Sequence, residues 1–254
     1  MRPGDQARAI ALCLAVVVAA GTIPEAGRAE AGATPEKQPA TKAAARVMET
    51  VALVEQKLTS TRYQHKTVVV LKKGIFWWDC SGMVAWVLGR AAPKARKALA
   101  GEHPLAKHFH KVIASAPAEA GAAGAAGADG KKAEPKAWTR LGGPGDIAPG
   151  DLFAWLKPEF WKLHKNTGHV GFVVGTPWPH PDHPGVWLMR VADASRYLHE
   201  GDTKPGGGVG GFGTGIMAYA FAEDGTALAY GWHGSGQDPQ TYVPTSIVFG
   251  RVAR

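Results

Sequence analysis

The apolar pattern changes period part-way along this chain, and that change limits the fold more than any other feature. Before residue 116, Val47, Val51, Val54 and Leu58 recur at helical spacing, and so do Val84, Val87, Leu88 and Ala91. After residue 136 the period is two. Leu152–Trp155, Gly168–Gly175, Val186–Asp193 and Ser246–Val252 read as strands, and Asp224-Gly225 between Ile216–Glu223 and Thr226–Trp232 is a hairpin signal. Helices first and an antiparallel sheet second predict an α+β fold. The Ala/Gly-rich stretch 116–136 between them reads as a surface insertion.

Only Ala9–Ala20 is continuously apolar, and it is too short to cross a bilayer as a helix. With Arg2 and Arg8 before it and small residues after it, residues 1–29 read as a secretory signal. The expected location is therefore outside the cytoplasm, secreted or periplasmic, with no transmembrane segment in the mature chain. Residues 30–45, rich in Ala, Pro, Lys and Glu, read as a flexible linker, and 46–254 as the folded domain. The formal net charge of +8 suits anionic polymers, which outside the cytoplasm means wall polymers or lipid headgroups more than nucleic acid.

Loss of the signal would remove Cys13 and leave Cys80 as a lone thiol, which is unusual in an oxidising compartment. Cys80 begins a helical pattern after Trp77-Trp78-Asp79, where the helix dipole and unpaired N–H groups favour a thiolate nucleophile. The alternative is a cysteine that merely packs. A cysteine nucleophile needs a base. His169 opens a strand on whose small-residue face Gly171 and Val173 leave room for a substrate, whereas His180 and His183 fall in a Pro-rich loop. Asp193 ends the apolar face formed by Trp187, Met189 and Val191, where an acid either orients the histidine or caps the following turn.

Three elements in this order resemble the NlpC family of papain-like cell-wall cysteine peptidases: Asp79-Cys80-Ser81-Gly82 opening a helix, Pro149-Gly150-Asp151-Leu152 opening a strand, and Gly168-His169-Val170-Gly171 opening the next. The resemblance implies a papain-like α+β domain that cleaves amide bonds in peptidoglycan peptides, with no metal or organic cofactor; the chain is expected to be a monomer. It makes Cys80 the nucleophile, His169 the base, Asp193 the third polar residue and Tyr63 an oxyanion-stabilising residue.

Asp79, Ser81, Trp78 and His199 are the expected substrate contacts, with Asp202 and Lys204 as weaker ones. Trp78 and its neighbours Trp77 and Trp86 equally suit core packing. The glycine-rich stretch 206–215 reads either as a lid over the site or as a passive loop. Two other functions share these features: acyl transfer or amide hydrolysis on a different substrate, and non-catalytic wall binding.

Overall fold

The computed structural model describes residues 35–99, 101–119, 137–162, 166–204 and 210–253; the signal reading and most of the insertion lie outside them. In chain order the elements are α1 (Lys42–Lys57), β1 (Ser60–Tyr63), β2 (Val68–Val70), β3 (Ile75–Trp78), α2 (Cys80–Ala91), α3 (Pro93–Lys97) and α4 (Ala106–Ala114). Then follow β4 (Trp138–Arg140), β5 (Leu152–Leu156), β6 (Gly168–Val173), β7 (Trp178–Pro179), β8 (Val186–Ser195), β9 (Gly211–Phe221), β10 (Ala227–Gly231), β11 (Val243–Pro244) and β12 (Ile247–Val252). The chain is α+β. No described helix is long and apolar enough to cross a membrane.

The period-two half forms a nine-stranded sheet in the order β11-β10-β9-β8-β6-β5-β12-β4, with β7 added beside β8. Its pairings are antiparallel. Alternation along each strand sorts side chains to two faces. Val170, Phe172, Ala192 and Ala194 point to the face covered by the helices, where they join Val51, Val87, Leu88, Phe109 and Ile113. The opposite face carries Phe153, Trp155, Val173, Met189, Val191, Tyr219 and Phe249. The sheet curls around this second cluster, because Trp155 on β5 stacks on Tyr230 of β10 at 4.1 Å although the two strands are not neighbours.

Folded structure begins earlier than the expected boundary at residue 46. Thr41 caps α1 by accepting the Ala44 N–H at 2.9 Å, and its hydroxyl donates to the Val252 carbonyl of β12 at 2.8 Å. Further out, the Lys37 N–H donates to Thr176 Oγ1 at 2.6 Å. Residues 37–45 are therefore docked, which corrects the linker reading. Ala43 and Ala44 are fully buried but too small to show as an apolar period. Their size is what lets α1 approach Gly150, whose φ is +90° and at which a Cβ would lie 2.5 Å from the Ala44 carbonyl oxygen.

The glycine-rich stretch also differs from expectation. Residues 211–215 are not a lid but the first half of β9, paired with β8 from Ser195↔Gly211 onward. Their glycines make room for a loop, residues 196–204, folded against that face. A Cβ at Gly213 would lie 2.3 Å from Asp202 Oδ1, and one at Gly215 would lie 2.5 Å from His199 Cβ. Residues 205–209 lie outside the described residues. A small sheet in the order β1-β3-β2, with β1 and β3 parallel, was not foreseen. Its short strands carry little alternation. It leads directly into α2.

Asp151, of the Pro-Gly-Asp-Leu element, closes the fold rather than a site. Its two oxygens accept from Arg251 Nε at 2.9 Å and Nη2 at 2.8 Å, and Oδ2 also accepts the Ala148 N–H at 2.8 Å. Arg251 also reaches Glu119 and the Asp146 carbonyl. Removing one partner of such a buried pair strands the other charge. Asp151→Ala is expected to lower the unfolding free energy by about 3–5 kcal/mol, read by urea denaturation; a loss below about 1 kcal/mol would refute a fold-closing role.

Candidate active site

The turn from β3 into α2 is built by the Asp-Cys-Ser-Gly element. Asp79, extended at φ −96° and ψ −179°, is the N-cap. Its Oδ1 accepts the Gly82 N–H at 2.8 Å and the Ser81 hydroxyl at 3.0 Å, and Oδ2 lies 3.1 Å from His65 Nδ1. Gly82 is small because Thr67 packs against it: a Cβ there would be 2.3 Å from Thr67 Oγ1. Cys80 is thereby the first helical residue, buried and free of any disulfide. The Gly82 and Met83 N–H groups bond to Asp79. Those of Cys80 and Ser81 are the helix-start donors with no intrahelical partner.

His169 is placed by its neighbour. Gly168, at φ +128°, packs so closely under β5 that a Cβ would lie 1.8 Å from the Trp155 carbonyl oxygen. His169 Nε2 donates to Asp193 Oδ2 at 2.6 Å. Burial alone would lower the His169 pKa, but charge on Cys80, the Asp193 carboxylate and hydrogen bonds from both outweigh it and raise it to about 9. With Nε2 on Asp193, Nδ1 is the nitrogen left for Cys80. Asp193 is fully buried, yet the cations around it hold its carboxyl well below the usual range.

Tyr63, at the end of β1, pairs with Trp78 of β3 and so stands beside the start of α2. Burial first, then negative charge at Cys80 and Asp79, raises its phenol pKa and keeps it a donor. The Arg196 guanidinium lies 5.4 Å from the ring centre. The structure thus brings Cys80, His169, Asp193 and Tyr63 together.

Other expected contacts fall elsewhere. Trp78 is fully buried among Phe76, Trp86 and Phe212, so it is core and not a substrate contact. His199 is also corrected: its side chain is entirely enclosed behind Asp193, with Nε2 3.2 Å from Asp193 Oδ2 and Nδ1 2.8 Å from Asp202 Oδ2. Lys204 is enclosed as well, its ammonium 3.4 Å from Asp193 Oδ1 and 3.1 Å from Asp202 Oδ2. None of the three can reach a substrate. Asp79 Oδ1 and the Ser81 hydroxyl are committed to the helix cap, and Asp79 Oδ2 to His65.

Two clefts adjoin at His65. The larger, about 890 Å³, is lined by Tyr63, His169, Trp155, Tyr197, Tyr230 and Trp232, with the His169 ring packed 4.9 Å from Trp155 and 5.5 Å from Trp232. The smaller, about 380 Å³, runs past Asp79, Ser81, Trp86, Arg96 and His103. The exposed His65 borders both. The aromatic wall of the larger cleft was missed in the sequence, although Tyr230 and Trp232 sit at alternate positions of a predicted strand. Among the described residues, no group of three or more His, Cys, Asp or Glu is arranged to hold a metal ion.

No protein-family model matches the chain, and the comparisons with curated proteins and with solved structures give no match. The chemistry must be argued from the residues themselves.

The buried imidazoles set the sign of the pH dependence of stability. His199 has its pKa raised to about 9, with burial opposing and Asp193 and Asp202 prevailing. A raised histidine contributes stability that is complete below about pH 6.5, its unfolded value. That contribution is lost as pH rises through about 9. The expected outcome is that wild type loses unfolding free energy between pH 6.5 and 10, and that His199→Gln loses less. Parallel curves from urea titrations would contradict the assignment.

Proposed function

We propose that this chain is a cysteine hydrolase of the papain-like NlpC type, acting outside the cytoplasm on amide bonds of peptidoglycan peptides. The observation that carries the reading is the meeting of a free cysteine at a helix start with a histidine whose far nitrogen is held by a buried carboxylate. The resemblance of the three sequence elements supplies the substrate class. The basic net charge of +8 fits an anionic wall.

In this mechanism the Cys80 sulfur attacks the carbonyl carbon, and the developing oxyanion meets the Cys80 N–H and the Tyr63 hydroxyl. One well-placed donor contributes about 3 kcal/mol in comparable hydrolases. His169 gives its Nδ1 proton to the leaving amine, and the C–N bond breaks to leave a thioester on Cys80. His169, now neutral, takes a proton from water as that water attacks the thioester. Asp193 keeps the imidazole in the tautomer that presents Nδ1 to sulfur throughout. The two clefts on either side of His65 suit the acyl part and the leaving amine of an extended substrate.

A second reading has its own observation. The aromatic wall formed by Trp155, Tyr197, Tyr230 and Trp232 also suits a substrate with a broad apolar face, as in acyl transfer or amide hydrolysis on another molecule. Digests of purified peptidoglycan followed by mass spectrometry separate the two. The expected result is release of peptide fragments with new amine and carboxyl ends, falling by about 10³-fold or more in Cys80→Ser and His169→Ala. Intact peptidoglycan with wild-type protein would reject the wall substrate, and Cys80→Ser with near-wild-type release would reject the nucleophile.

A further inference from the structure

We infer that Lys204 and His199 are positioning residues: a buried cationic pair that keeps Asp193 ionised and aimed at His169. The inference rests on the proposed Cys80, His169 and Asp193 reading and extends it to residues that never meet the substrate.

Asp193 has no solvent exposure. A carboxylate so placed stays charged only if cations and donors replace the lost water. His169 cannot supply that charge at every step, because the mechanism takes its proton away. Lys204 can. Its ammonium is fully enclosed, within reach of Asp193 Oδ1 at 3.4 Å, and is held by Ser195 Oγ at 3.0 Å, the Tyr197 carbonyl at 3.1 Å and Asp202 Oδ2 at 3.1 Å. His199 approaches the same oxygen that His169 uses, at 3.2 Å against 2.6 Å. Asp193 therefore keeps a positive neighbour whether or not His169 carries its proton.

The loop is wound to deliver these groups. Asp202 accepts the His199 N–H at 2.8 Å and the Lys204 N–H at 2.7 Å, so one carboxylate fixes both residues. Gly213, directly opposite Asp193 in the β8–β9 register, leaves the gap they fill, since a Cβ there would lie 2.8 Å from Lys204 Cβ. Ordinary loop anchoring needs neither an enclosed ammonium nor a second imidazole 3.2 Å from the oxygen that His169 bonds.

The charged and titratable groups that face Asp193 are His169 on β6, Tyr219 on β9, Tyr63 on β1, and His199 and Lys204 on the loop, with Asp202 behind them. Cys80 on α2 acts on His169. The test is the rate of Cys80 alkylation by iodoacetamide from pH 5 to 9, located by peptide mass spectrometry, with a thermal melt for each variant. Wild type, His169→Ala, Lys204→Met, Lys204→Arg and His199→Gln are compared below their melting temperatures.

Lys204→Met is expected to slow alkylation near pH 6 by about tenfold, the equivalent of one pKa unit, and to move the profile towards that of His169→Ala. Lys204→Arg, which keeps the charge, should fall closer to wild type. A folded Lys204→Met with the wild-type profile overturns the inference, whatever its melting temperature. If Lys204→Met does not fold, His199→Gln gives the same reading, with a wild-type profile again overturning it. An unchanged His169→Ala profile brings down the Cys80 and His169 pairing itself, and the inference with it. A changed His169→Ala beside an unchanged Lys204→Met removes only the inference.

Discussion

The bond between Asp193 and His169 is the interaction around which this half of the molecule is arranged. Its 2.6 Å length and the full burial of the carboxylate would be untenable for an isolated charge. The surroundings answer that problem in three ways. β6 and β8 run side by side and put both residues on the concave face of the curled sheet. The loop 196–204 brings an ammonium and a second imidazole from behind. The first half of β9 gives up its side chains to let that loop in. Each feature is costly alone and consistent with the others.

Much of this arrangement can be read in the sequence, because it follows from local periodicity. Alternation placed His169 on the face of Gly171 and Val173, and Asp193 on the face of Met189 and Val191. Both faces prove to be the same side of one sheet. Cys80 could be placed at a helix start because Val84, Val87 and Leu88 mark the helix, whereas the cap that Asp79 makes emerges only in the structure. What could not be read depends on contacts between distant segments. His199 and Lys204 look like ordinary loop polars until β9 is seen to lack side chains where they dock. Ala43 and Ala44 look like tether until Gly150 is seen against them. The same holds for Asp151: its element marks only the start of a strand, and its partner is Arg251, a hundred residues away in sequence.

Division of labour between the two buried ion pairs follows from where they sit. Asp151–Arg251 lies where β5 and β12 meet the segment before β4, away from both clefts, and serves the fold. Asp193 and its cations lie under the mouth of the larger cleft, where Trp232 stacks on His199 at 4.8 Å and lies 5.5 Å from His169. The aromatic wall is therefore also the cover that keeps water from the charge cluster. Ligand seated against Trp232 would rest on the group that supports the imidazole.

The glycines of β9 have one more consequence. On the face that receives the loop, Gly211, Gly213 and Gly215 offer no side chain, and the segment's apolar anchor is Phe212 on the other face, packed in the helix-covered core 6.5 Å from Trp78. From Gly211 to Gly215 the strand is held by its ladder with β8, by the buried Phe212 and by the bond from the Phe212 N–H to Thr61 Oγ1 at 2.7 Å, with the loop lying on its bare face. The loop can lift from this bare face as a local unit while Phe212 keeps β9 on the helix-covered core. On heating, the orienting carboxylate would be wetted before the domain unfolds. Loss of the Asp193–His169 bond would then precede melting, reversibly, and amide exchange in residues 196–204 would track it.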